Sequence, residues 1–339
     1  AAKEALDEAR RLYTKSEGTY LTGINFKNYF NNYFFPWYKL GVVEKTYVKT
    51  EKTLKRAIEY FGHMKVENIK AIHIQQFHQY LATECFIVSK DGSKRHLSTV
   101  YIKQMFNKLK VVFERAKILE IISENPVVTM GKIRVGRSLV DFWTYSEFKK
   151  VFEKVYLDDF YEGFYKRMMR FLFVSGLRSE EIFALTWKDI DFEKGACKIN
   201  KSLYIRRRTD FEFSDTKSVA SIRTVSLDQK TMDDLRAWKK EQEEIGEIDF
   251  VFSYDGLPPS PRTFLTRIQK LASEAGVKQI NLHELRHSSV AFLIEQNVNI
   301  YAISKRLGHS SVKTTLDKYG HLYPDAHQKL AEEFAKFDI

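Results

Sequence analysis

Apolar side chains in the first third of the chain recur at helical spacing. In TYVKTEKTLKRAIEYFG, Tyr47, Leu54, Ile58 and Phe61 fall near one face, and Gly62 supplies a stop. HIQQFHQYLATECF follows, and then LSTVYIKQMFNKLKVVFERAKIL, where Ser98 is a candidate N-cap. Val100, Met105, Leu109, Val112 and Phe113 give that segment a stripe suited to burial. Between the two lies SKDGSKRH, a polar turn. Residues 1–15 read as a leading helix, and helical segments run from Phe26 to about Ile122.

The pattern breaks at ENPVVTMGKIRVGRSL, residues 124–139, where Pro126 cannot continue a preceding helix and two glycines loosen the backbone. A helix capped by Thr144 comes next, and YKRMMRFLFVSGLRSEEIFALTWKDI reads as helix, turn, helix. GACKINKSLYI and VASIRTVSL, rich in β-branched residues, read as short strands before helices resume. The expected fold class is mainly α with a small antiparallel β-sheet. A leading segment over 1–20 precedes a helical domain over 21–125, a linker over 126–139 and a mixed α+β domain over 140–339.

At 339 residues the chain is long enough for two cores, and 44% hydrophobic residues with 6 prolines mark a globular protein. Charge refines the division. Residues 1–139 carry 24 basic and 13 acidic side chains, whereas residues 140–339 carry 31 of each, so the net +11 lies wholly in the first part. A basic lobe favours a polyanion such as DNA, because neutralising phosphates releases counterions. Lys94 and Arg95 in the polar turn, and Lys132, Arg134 and Arg137 in the linker, are candidate phosphate contacts. Cys85 and Cys197 have no metal-ligand or disulfide spacing, which fits a reducing cytoplasm. No membrane span or signal peptide is visible.

Candidate chemistry lies in the neutral part. SGLRSEEI places Arg178 after a flexible glycine, with Glu181 one helical turn on, where a carboxylate can orient an arginine. In NLHELRH, Asn281 can cap a helix on which His283 and Arg286 share a side, a pairing suited to phosphate. His283 and His287 have zinc-like spacing, but no nearby acidic residue or cysteine completes a ligand set, HELRH is not read as having the H-E-x-x-H glutamate placement, and no metal is expected. His309 in LGHSS precedes a helix capped by Ser310 or Ser311, where free backbone donors attract anions. Tyr319 lies ten residues further on; its phenol needs cations or a base to become nucleophilic at neutral pH. Tyr323, beside Pro324, is expected to be structural. Lys217 lies where a turn joins two strands, with Lys201, Arg206, Arg207 and Arg208 competing for any lysine-like role.

The order Arg178, Lys217, His283-x-x-Arg286, His309, Tyr319 resembles the tyrosine recombinases, the integrase family that cuts and rejoins DNA through a phosphotyrosine. The resemblance covers residues 140–339, and the helical basic part looks like that family's core-binding domain. It implies two domains clamped around a duplex, with Arg178 and Arg286 on the non-bridging oxygens of the scissile phosphate. His283 would be an acid/base near the tyrosine proton, His309 a phosphate donor and Lys217 the acid for the departing 5′ oxygen. Tyr319 would attack phosphorus, and strands would exchange through a Holliday junction without ATP, metal or other cofactor. Residues 326–339 would dock on a neighbouring protomer, giving a homotetramer on two DNA sites. An excisionase or a host DNA-bending factor is a further implied partner. A mobile-element or phage integrase in a bacterial cytoplasm is the favoured member, its first residues resembling the segment after an arm-binding domain. The alternatives are a recombinase that resolves chromosome dimers, a type IB topoisomerase-like enzyme and a non-catalytic DNA-binding protein.

Overall fold

The computed structural model describes residues 23–89, 92–134, 136, 140–155, 160–215, 219–323, 331–332 and 334–336. The chain divides into two compact units, Ala1–Arg137 and Ser138–Ile339. The expected helix over residues 1–15 lies outside the described residues, as does most of the segment 326–339.

Among the described residues the first unit starts with α1 (Phe26–Tyr29), a π-helical turn (Phe30–Phe34) and α2 (Phe35–Leu40). Asn25 caps α1 by accepting from the Asn28 amide at 2.9 Å. Helices α3 (Glu44–Phe61) and α4 (Ala71–Thr83), a hairpin of β1 (Phe86–Val88) and β2 (Lys94–His96), and α5 (Thr99–Ile118) follow. Ser98 caps α5 as expected, accepting from the Tyr101 amide. Phe26 packs its ring 5.8 Å from Phe61 and 5.6 Å from Phe113, while the Tyr29 hydroxyl donates to the Val112 carbonyl at 3.0 Å. The polar turn of the sequence is thus the loop of a hairpin, which puts Lys94 and Arg95 on a strand.

Two expectations change here. Val100 is 47% exposed, and the buried stripe of α5 runs instead through Ile102, Met105, Phe106, Leu109, Val112 and Phe113. Residues two apart lie on opposite faces of a helix, so Val100 and Ile102 cannot share one. Pro126 does not open a linker. It starts α6 (Pro126–Met130), where its fixed φ suits the first helical position and its missing N–H costs nothing. Asn125 caps α6 and donates to the Lys110 carbonyl of α5 at 2.9 Å, and Val127 is buried, so these residues complete the first core.

The second unit runs α7 (Tyr145–Glu153), α8 (Phe160–Ser175), α9 (Ser179–Ile182), β3 (Ile190–Asp191), β4 (Ala196–Ile199), β5 (Lys201–Arg207), β6 (Asp210–Asp215), β7 (Arg223–Ser226), α10 (Gln229–Ile245), α11 (Pro261–Glu274), α12 (Leu282–Glu295), α13 (Ile300–Leu307) and α14 (Val312–Tyr319). Thr144 caps α7 in a reciprocal pair with Glu147. GACKINKSLYI splits at Asn200 between two antiparallel sheets, β3-β4-β7 and the hairpin β5-β6. DFEFSD forms β6, a strand the sequence reading left out. Buried Trp143, Phe164, Trp238, Phe252 and Leu285 fill the core between helices and sheets. The Trp143 amide donates to Ser288 Oγ at 2.8 Å and its indole to the Lys278 carbonyl at 2.7 Å, which fastens the start of this unit to α12. The architecture is mainly helical with small antiparallel sheets, and no helix among the described residues is long and apolar enough to cross a membrane.

The reassigned stripe of α5 makes a measurable contrast. Leu109→Ala should cost about 2–5 kcal/mol in urea unfolding, because it hollows a fully buried site. Val100→Ala should stay within about 0.5 kcal/mol of the parent. Equal losses would place Val100 back in the core.

Candidate active site

The site starts where α8 stops. Gly176 follows with φ +64°, and a Cβ there would lie 3.3 Å from Ser289 Oγ, so the turn needs glycine on two counts. Two residues later Arg178 caps α9. Its amide donates to Glu181 Oε2 at 2.8 Å and its Nη1 to Oε1 at 2.7 Å. From β7, Arg223 reaches the same carboxylate, with Nη1 3.1 Å from Oε1 and Nη2 2.8 Å from Oε2. Glu181 is 3% exposed. Burial alone would raise its pKa, but hydrogen bonds and charge from Arg223, then Arg178, pull it down to about 2. Arg223 also donates through Nε to the Arg306 carbonyl at 2.7 Å and through Nη1 to the Ser221 carbonyl at 3.1 Å.

Arg286 enters from α12 and is 2% exposed. Its Nη1 donates to the Gly176 carbonyl at 2.9 Å and its Nη2 to the Leu307 carbonyl at 2.8 Å. The same Nη2 lies 3.2 Å from His309 Nε2. A guanidinium can only donate, so Nε2 accepts and the neutral ring carries its proton on Nδ1, which donates to Thr315 Oγ1 at 2.8 Å. Gly308 just before it is left-handed at φ +66°, and a Cβ there would press to 3.1 Å on the Ala220 carbonyl and Arg223 Cδ. Of the two serines offered as caps, Ser311 caps α14, accepting from the Lys313 amide.

Tyr319 is the last residue of α14 and is 1% exposed, packed with Val290, Ile294, Ile303 and Leu307. Its hydroxyl is hydrogen-bonded to His287 Nδ1. Burial pushes the phenol up to about 12 despite the nearby Arg286 charge, so the phenol keeps its proton and donates. His283, one turn earlier on α12, stands edge-to-face with His287 at 4.8 Å between ring centres and keeps an exposed edge. Burial and the charges of Arg286, Lys318 and Arg178 depress His283 to about 4. His287 falls to about 3 through burial, His283, Lys318 and Arg286, and His309 to about 4 through burial, Arg286 and Arg178. Burial and Arg178 lower Arg286 to about 9, and burial with the charges of Arg286 and Arg178 lowers Lys318. These groups crowd positive charge on one another, with Glu181 as the buried counter-charge. An anion arriving here would relieve all of them.

HELRH spells the H-E-x-x-H order of zinc hydrolases, but Glu284 folds back to accept from the Asn281 amide that starts α12. Among the described residues no three His, Cys, Asp or Glu side chains gather as metal ligands.

Arg178, Glu181, His283, Arg286, His309 and Tyr319 are thus brought into one charged neighbourhood from four segments. Lys217 lies outside the described residues. Three of its competitors are engaged elsewhere: Lys201 by Asp189 at 2.7 Å, Arg206 by Asp210 and Glu212, and Arg208 by Asp255. Lys94, Arg95, Lys132 and Arg134 belong to the first unit and are exposed, while Arg137 lies outside the described residues. Sequence reading missed three contributors: His287, Arg223 and Lys318. His287 had a signal, since i and i+4 on one helix share a face with His283; Arg223 and Lys318 had none beyond adjacency.

The profile of the Phage integrase family matches residues 159–325, and that of the phage integrase N-terminal SAM-like domain matches residues 25–82. The ICEBs1 integrase of Bacillus subtilis (strain 168) is 30% identical over 287 residues, spanning 82% of this chain and 74% of that protein. A XerC-like tyrosine recombinase of Caldanaerobacter subterraneus is 25% identical over 309 residues, with the same shares. Among solved structures, the Tn1549 transposon integrase in complex with a circular intermediate DNA superposes with TM-score 0.73 at 18% identity, covering 96% of this chain and 99% of that one. A lambda integrase tetramer bound to a Holliday junction gives 0.65 at 16%, covering 88% and 81%.

The site's charges should make stability fall in acid in two windows. The three histidines have folded pKa values near 3 to 4 against an ordinary 6.5, so the unfolded chain binds their protons first and stability drops as pH falls from 6.5 to about 4. Glu181 has a folded pKa of about 2 against 4.5, so its contribution is full above 4.5 and is lost as pH falls toward 2. That shift corresponds to about 3 kcal/mol. In urea melts, Glu181→Gln should show a deficit of that order at pH 7 that narrows across the lower window; a deficit constant with pH would refute the assignment.

Proposed function

This chain belongs to the phage integrase family, the tyrosine recombinases, and on that premise we propose that Tyr319 is its nucleophile and that Arg178, His283, Arg286 and His309 form the phosphate site. The enzyme is a site-specific DNA recombinase of a mobile element. One observation carries the assignment of residues. Separated segments deliver guanidiniums, imidazoles and a phenol to a neighbourhood whose cations depress one another, which is the electrostatic condition for binding a phosphodiester.

In this reading a non-bridging oxygen of the scissile phosphate accepts from Arg178, which keeps 33% of its side chain exposed while Glu181 fixes its other side. Arg286 binds the second oxygen. His309 donates through Nε2 once the phosphate displaces Arg286 from that atom, because a nearby anion raises the imidazole pKa and favours the doubly protonated ring. His283 buffers protons at the exposed edge. Tyr319 attacks phosphorus as its phenolic proton passes to His283, the acid/base, and a 3′-phosphotyrosyl bond forms while the 5′ oxygen leaves with a proton from Lys217. The 5′ hydroxyl of a partner duplex then attacks that bond and regenerates the phenol. The covalent link conserves the bond energy, so ATP has no part.

The partner is double-stranded DNA at attachment sites. Lys94, Arg95, Lys132, Arg134 and Arg137 contribute phosphate contacts from the basic part of the chain. Four copies on two sites, with residues 326–339 exchanged between neighbours, complete the assembly, and an excisionase or a host DNA-bending factor sets its direction. A bacterial cytoplasm suits that partner.

The test is covalent trapping. The chain, in EDTA and without ATP, is incubated with nicked duplexes tiled across the DNA flanking its gene. An SDS-resistant adduct should form on one duplex, vanish in Tyr319→Phe and persist in Tyr323→Phe. An adduct that survives Tyr319→Phe, or none on any duplex, would overturn the assignment.

A further inference from the structure

A tyrosine that attacks phosphorus must direct a lone pair at it, so its hydrogen has to point elsewhere. In this structure the hydrogen has a defined destination. The Tyr319 hydroxyl meets His287 Nδ1, and the expected acid/base, His283, is not its partner. His287 is 6% exposed on the part of α12 anchored by buried Leu285, Val290 and Ile294, and Ser288 beside it is tied to the Glu284 carbonyl at 2.8 Å. The imidazole therefore stands on a rigid element, and the hydroxyl torsion of Tyr319, which nothing in the ring itself fixes, is set by it.

We propose that His287 is a positioning residue for the tyrosine nucleophile: its Nδ1 accepts the phenolic hydrogen and so turns the lone pairs of the Tyr319 oxygen away from α12. The assignment rests on Tyr319 being the nucleophile and adds a residue to that reading. The surroundings favour the acceptor role over a charged one. His283, Lys318, Arg286 and His309 all face His287 with positive or protonatable groups, and the ring stays unprotonated at neutral pH with its own hydrogen on Nε2. An apolar residue at 287 would leave the buried hydroxyl to turn its hydrogen toward whatever acceptor comes next, the incoming phosphate included. The attacking lone pair would then be misdirected.

Side-chain amides separate this role from its rivals. The Asn oxygen lies near the place of Nδ1, whereas the Gln oxygen lies near the place of Nε2, and neither amide takes up a proton. On the duplex that traps the parent chain, at saturating DNA, His287→Asn should form the adduct within about tenfold of the parent rate. His287→Gln and His287→Phe should be slower by about a hundredfold, the usual effect of a misplaced reacting group. Gel-shift affinity should be unchanged in all three. On a duplex with sulfur at the bridging 5′ position, whose leaving group needs no acid, Lys217→Ala should recover and His287→Gln should stay slow. A purely structural role would not give the Asn-over-Gln order or this selectivity. His287→Gln cleaving at the parent rate or faster, or His287→Asn as slow as His287→Gln, would overturn the proposal. Loss of the adduct in Tyr319→Phe alongside a fast His287→Gln would sink only the role of His287, whereas an adduct surviving Tyr319→Phe would sink the nucleophile itself.

Discussion

The catalytic unit depends on one buried carboxylate and the two guanidiniums that meet on it. An unpaired ionised carboxylate at the depth of Glu181 would cost several kcal/mol, so its place is tenable only while Arg178 and Arg223 are there. The dependence runs both ways. Arg223 spends its remaining donors on the Arg306 and Ser221 carbonyls, which fixes the end of α13 against the start of β7. Gly308 fits under Arg223 only because it lacks a side chain, and His309 follows it directly. One carboxylate and its two guanidiniums thereby set the positions of residues from the α8–α9 turn to the start of α14.

Around that anchor the protein keeps an excess of positive charge. Elsewhere in this unit guanidiniums meet carboxylates in equal or greater number: Arg167 meets Asp234 and Glu241, and Arg170 meets Asp228. At the site Glu181 faces Arg178, Arg223 and Arg286, with Lys318 close by. The imbalance is a standing cost in the free protein and becomes binding energy when an anion arrives, which is how preorganised sites work. Burial first, and this excess charge second, keep the imidazoles neutral before that happens.

Much of this could be read in the chain, and the limits have physical reasons. Capping chemistry is local, so Ser98, Thr144 and the stop at Gly62 behave as their types dictate. The residues of the charged site stood out because each sits in a short segment with its own turn or cap. Val100 and Pro126 were misplaced because period and proline carry two meanings each: a stripe can begin two residues later, and proline both ends helices and starts them. Strand β6 escaped notice because DFEFSD alternates charge with aromatics, and only its pairing with β5 makes it a strand. His287, Arg223 and Lys318 act through partners 30 or more residues away, or through a field summed over many groups. Apart from the i, i+4 spacing of His283 and His287, no local pattern encodes either.

Arg286 gains its hold from main-chain oxygens, those of Gly176 and Leu307. A peptide carbonyl has no codon of its own, so no single substitution deletes it. Beyond the contact with His309 Nε2 and the charges nearby, a substitution disturbs this hold only by bending the chain at Gly176 or Leu307. The guanidinium's place is in this sense insulated from substitution at Gly176 and Leu307, the residues whose carbonyls hold it.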